Sequence, residues 1–111
     1  HEMSASLDPA FEQFMATADA VAEQRPGVDP DAARDVFHEA ATLLHNGLVF
    51  DGLDDHDTDV VVGGLCADLI TADPGAAIRA RSQMALTEPG DVHDPEGVWT
   101  AYLNAATVLQ L

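Results

Sequence analysis

Residues 29–73 read DPDAARDVFHEAATLLHNGLVFDGLDDHDTDVVVGGLCADLITAD, and this stretch decides the fold. Ala33, Val36, Phe37, Ala40, Leu43, Leu44 and Gly47 recur at helical spacing, whereas Asp31, Asp35 and Glu39 fall on another side of the wheel, so the first half is an amphipathic helix. Asp29 is placed to accept hydrogen bonds from the free N–H groups of the first turn. Pro30 follows at the one position where a missing N–H costs nothing. Gly47 is expected to stop the helix in a left-handed conformation. From about Thr58 a second helix carries Val60, Val61, Val62, Leu65, Cys66, Leu69 and Ile70, apolar around most of its circumference, as a helix enclosed by others should be. Gly63 and Gly64 in its middle cost roughly 1 kcal/mol each against Ala, a cost accepted where helices approach closely. A buried strand over Val60–Val62 is the competing reading, and the apolar run continuing past the glycines at helical spacing argues against it.

The flanks repeat the same punctuation. Asp8-Pro9 opens a helix with Phe11, Phe14, Met15, Ala18, Val21 and Ala22 on one stripe, ending near Gln24-Arg25 before Pro26-Gly27. Asp73-Pro74 opens a helix with a weaker apolar face, ended by Glu88-Pro89-Gly90. Its Arg79 and Arg81 are expected in surface ion pairs. Asp94-Pro95 opens the last, which places Val98, Tyr102, Ala105, Ala106 and Leu109 on one face with Trp99 and Leu103 flanking. The expected fold is therefore all-α, a single-domain bundle of about five helices joined by short turns initiated by Asp-Pro. Residues 1–6 are expected to be a disordered start, with His1-Glu2 ahead of Met3 a remnant of expression, and residues 7–111 the helical domain.

Composition bounds the setting. Twenty acidic residues against four arginines and no lysine give a formal charge of −16, with Asp clearly outnumbering Glu. Charge of this size disfavours the compact state unless salt screens it, which points to the salt-rich cytoplasm typical of halophilic organisms. Four arginines are too few to bind nucleic acid through its phosphates. No window reaches the length of a membrane span, because Asp59, Asp68 and Asp73 interrupt the best one, and no signal peptide is visible. The single cysteine, Cys66, falls on an apolar face and reads as a core residue.

Three functional classes follow. No nucleophile motif or phosphate loop is present, so enzymatic activity is not the leading expectation. The first class is an interaction or regulatory protein that pairs with itself or another protein, using Trp99, Tyr102, Leu103, Leu109 and Leu111, since the chain closes on the unusually apolar Val108-Leu109-Gln110-Leu111. The second is a divalent-metal protein or metal-dependent hydrolase using His38, His45, Asp55 and His56 among the aspartates of the 51–57 loop, because imidazole and carboxylate are the usual donors for such ions. His38 and His45 share a side of their helix but lack the compact spacing of a helical metal site, and a solvated acidic turn explains the loop equally well. The third is a nucleic-acid mimic that occupies a basic groove. The charge makes one outcome measurable at once: the thermal midpoint should rise between about 0.1 M and about 2 M KCl as screening shortens from roughly 10 Å to a few Å, and a midpoint unchanged over that range would contradict the salt-adapted reading.

Overall fold

The computed structural model describes residues 9–25 and 27–111, in which the chain forms α1 (Pro9–Gln24), α2 (Pro30–Asn46), α3 (Asp55–Leu69), α4 (Pro74–Thr87) and α5 (Pro95–Val108). The expected disordered start over residues 1–6 and the Asp8 cap lie outside the described residues. At the three described Asp-Pro starts the side chain does what the spacing implies. Asp29 accepts from Asp31 N, Asp73 from Ala76 N and Asp94 from Gly97 N, each at 3.1 Å. The fourth described start uses the same device without proline: Asp54 accepts from Asp57 N at 2.8 Å. That cap draws Asp55, His56 and Asp57 into the first turn, so α3 begins three residues before the Thr58 expected from the apolar pattern alone.

α1 and α2 form an antiparallel pair, with Phe11 beside His45 at one end and Asp19 bonded to Arg34 at the other. α4 and α5 form a second pair. α3 contacts all four other helices, which is why its sequence is apolar nearly all round, and no strand occurs among the described residues. Phe14, Phe37, Leu44, Val61, Leu65 and Ile78 are fully buried at the centre, each contributing about 1.5–3 kcal/mol of transfer free energy. Phe14 and Phe37 meet edge to face at 6.4 Å and join α1 to α2. Cys66 lies among them, its thiol donating weakly to Phe14 O at 3.9 Å, and burial pushes its pKa up to about 12. The Cα radius of gyration, 13.4 Å, is that of one compact domain of this length, roughly 13 Å.

Several local readings are corrected by packing. Gly47 is right-handed, with φ −81°; the left-handed residue is Leu48, with φ 54°. Leu48 N bonds to His45 O and Val49 N to Leu44 O, both at 3.1 Å, which is a Schellman stop with leucine where glycine is usual. Gly47 is needed for a different reason: a Cβ there would lie 2.8 Å from Val108 Cγ2, so the bare backbone seats the end of α5 against the end of α2. Gly64 behaves as expected of a close-approach residue, since a Cβ would collide with Arg81 Cδ and Tyr102 Oη, but Gly63 has nothing within 4 Å. Arg81 is ion-paired as expected and half-buried, but its partner lies inside the protein. It clamps the buried Asp68 with two hydrogen bonds, Nε to Oδ2 at 2.8 Å and Nη2 to Oδ1 at 2.9 Å, and the carboxylate holds the guanidinium proton more tightly than usual.

The two central glycines therefore separate cleanly. Gly63→Ala should raise stability by about 1 kcal/mol through helix propensity alone, whereas Gly64→Ala should lower it by roughly 1–3 kcal/mol through overpacking. Urea unfolding of the two variants checks this, and equal effects would show that α3 is not enclosed on its Gly64 side.

Candidate functional site

The densest collection of ionisable groups lies where the start of α3 meets the loop before α5. Asp57 is completely buried, and its two oxygens accept from His93 N at 2.9 Å and Asp94 N at 2.8 Å. Asp54 uses Oδ1 to cap Asp57 N, while its Oδ2 lies 2.8 Å from His93 Nδ1. The imidazole of His93 stacks on that of His56, centroid to centroid 4.5 Å, and His56 Nε2 is 3.6 Å from Asp91 Oδ2. Electrostatics follow from the bonds. The hydrogen bond from Asp57 N, then that with His93, holds the Asp54 carboxyl below the usual carboxylate range; the hydrogen bond with Asp54, reinforced by its charge, raises the pKa of His93.

Among the described residues, Asp54, Asp57 and His93 are the one group of three or more His, Cys, Asp or Glu whose ligand atoms converge within 4.8 Å of one another. The residues expected from sequence to hold a metal are placed otherwise. His38 and His45 do share a side of α2, where both present ring edges to Phe11, at 6.5 and 5.9 Å. His45 and Asp55 face the same cleft, of about 270 Å³, across the 48–53 loop, while His56 belongs to the His93 stack. The four are not brought to one point. In the group that does converge, an ion taking Asp54 Oδ2 and His93 Nδ1 would break the hydrogen bond between them, and Asp57 already closes the turn into α5. What the arrangement does chemically is hold the loop that enters one helix by a side chain of another. His93 was legible only as a neighbour of the Asp94 cap. Nothing local in the sequence announces its partners on α3, which lie more than thirty residues away along the chain.

The expected interface residues divide. Tyr102 is buried, its hydroxyl donating to Val60 O at 3.2 Å and its pKa pushed up to about 12 by burial, so it offers no surface to a partner. The stripe that carries Tyr102 faces α3 and α4, which the last helix needed for its own packing. Trp99, Leu103 and Leu109 are half-buried and Leu111 is exposed. Leu109 and Leu111 line an apolar groove of about 210 Å³ together with Leu69 at the end of α3 and Val36, Ala40 and Leu43 of α2; Glu39 is its one charged lining residue. Val36, Leu43 and Leu111 remain 46%, 39% and 38% exposed, because the apolar stripe of α2 is wider than the body of the protein covers. The carbonyl of Leu111 accepts from Arg79, which holds this wall of the groove in place. No helix among the described residues is long and apolar enough to cross a membrane.

Compared with known protein families, curated proteins and solved structures, the chain matches none.

Two measurements test the clamp. In an NMR titration His93 should take up its proton at higher pH in the wild type than in Asp54→Asn; the stabilisation it carries is present below the unfolded histidine pKa, near 6.5, and is lost as pH rises through the folded value. Asp57→Ala should cost about 2–4 kcal/mol, because it strands two backbone N–H groups. A loss within 0.5 kcal/mol would show that solvent reaches them.

Proposed function

We propose that the chain is a small protein-interaction module that pairs with a second copy of itself through the groove between α2 and the ends of α3 and α5, working in the salt-rich cytoplasm to which its composition is suited. The observation that carries this reading is the groove itself: six apolar side chains from three segments of the chain, three of them more than a third exposed, on a molecule whose surface is otherwise dense with carboxylates. Closed two-fold pairs are the commonest assembly, and fully buried interface centres are depleted in charge, as this face is. The contribution of the last helix lies in Leu109 and Leu111, with α2 supplying the opposite wall through Val36 and Leu43.

Light scattering after size exclusion in about 2 M KCl tests it, at which salt the screening length falls below about 3 Å. The wild-type chain should elute at twice its 11.7 kDa mass. Leu43→Asp, at an exposed position, should elute as a monomer with an unchanged melting profile. A wild-type chain that stays at 11.7 kDa at tens of micromolar would overturn the reading.

A further inference from the structure

We infer that the cleft between the end of α2 and the start of α3 is a binding site for a small primary ammonium compound, a protonated amine on a short hydrocarbon body. The cleft shares no lining residue with the pairing groove. The Asp54 cap draws residues 55–57 into the first turn of α3, which puts Thr58 about one turn before Val61 and two before Leu65, on the buried face of the helix. Thr58 is 7% exposed, and a valine of the same shape would serve packing there equally well. Its backbone N–H caps onto Asp54 O, but its hydroxyl bonds to no protein group. It does not donate to the carbonyl four residues back, as the hydroxyls of Thr42, Thr87 and Thr107 do. A hydroxyl withdrawn from water without a partner costs free energy, so buried ones are nearly always paired. Among the described residues, His56 Nε2 and Trp99 Nε1 are unpartnered and sealed from solvent; the Thr58 hydroxyl is unpartnered but not sealed, and Thr58 lines the cleft of about 270 Å³.

The rest of the lining sets the chemistry of what binds. Leu44, Val49, Phe50 and Leu53 make apolar walls. The Asp51 and Asp55 carboxylates, when ionised, only accept hydrogen bonds. Gln13 gives its side-chain N–H to Asp59, so its carbonyl oxygen is the end left unbonded. No lysine or arginine lines the cleft, and its polar groups call for a cation rich in donors. A bare metal ion does not suit it, because the ligand atoms of His45, Asp51 and Asp55 do not converge within 4.8 Å of one another. A ligand several atoms long spans them. A quaternary ammonium has no N–H to give and is held by aromatic cages, whereas the lining holds one phenyl ring, Phe50. Asp55 and Thr58 are three residues apart and neighbours on the helix surface, so one ammonium group can donate to both while its hydrocarbon lies against the apolar walls. A cavity of about 150 Å³ holds a benzene, so this one takes a body of up to roughly ten non-hydrogen atoms.

An NMR titration of the full chain in about 2 M KCl tests this, because at that salt the general attraction of cations to a chain of charge −16 is screened to below about 3 Å. Butylammonium chloride is the probe, with 1-butanol as its uncharged counterpart and tetramethylammonium as its counterpart without N–H. Butylammonium should shift the backbone amides of Phe50, Leu53 and Thr58 saturably, with a Kd of about 1–10 mM, and both comparison compounds should bind at least about tenfold more weakly. Thr58→Val should melt no lower than the wild type, since it removes a hydroxyl that bonds nothing in the protein, yet raise the Kd by about tenfold. Asp55→Asn should weaken binding by a similar factor, and Glu88→Gln, at the end of α4 and outside the cleft, should track the wild type. Shifts that do not saturate by about 50 mM overturn the site. So does equal binding of either comparison compound, or a Kd unchanged in Thr58→Val.

Discussion

Asp57 and Asp68 stand near the two ends of α3, and both are inside the protein. Withdrawing a carboxylate from water costs several kcal/mol unless its oxygens are satisfied, and here each is satisfied by the same half of the molecule. Asp57 takes the backbone N–H groups that lead into α5, and Asp68 takes the guanidinium of Arg81 on α4. The α4–α5 pair is thus pinned to α3 at both ends by directional bonds, where apolar packing alone would tolerate sliding. Gly64 lies between the two pins, and its missing Cβ lets Arg81 and Tyr102 close over the helix. In a chain with twenty carboxylates, two are spent on register and most of the rest face solvent.

That register determines where the apolar surplus ends up. The Asp68–Arg81 clamp is next to Leu69, the bond from Arg79 holds Leu111, and the bare Gly47 receives Val108. Together these contacts bring the ends of α3 and α5 beside α2 and leave a hollow in front of Val36 and Leu43. The apolar groove is therefore a by-product of closing the bundle at its other end.

The sequence made legible what is decided locally. Asp29, Asp73 and Asp94 cap their helices because capping and proline geometry act within four residues, and α3 is helical because its apolar run keeps helical spacing past the glycines. What depends on distant neighbours could not be read. Asp55 and Asp57 are alike in sequence context, yet one is exposed and the other fully buried, a difference made by residues 93 and 94. Gly47 invites a conformational explanation, and its actual role is to make room for Val108. Arg81 and Tyr102 looked like a surface cation and a surface aromatic, because nothing in a single helix tells which of its neighbours is a glycine. The histidines were conspicuous by type, but their pairing is set by tertiary contact: His56 finds His93, and His38 and His45 find Phe11.

A buried side chain on α3, Asp57, holds the loop entering α5. Native-state hydrogen exchange of the His93 and Asp94 amides tests it most directly. Both lie in an exposed loop, where unassisted N–H groups exchange through small local openings. Held by Asp57, they should exchange only through global unfolding, with the same free energy as the amide of Val61 in the core. Exchange at the rate of the exposed residues around Gly52 would contradict it.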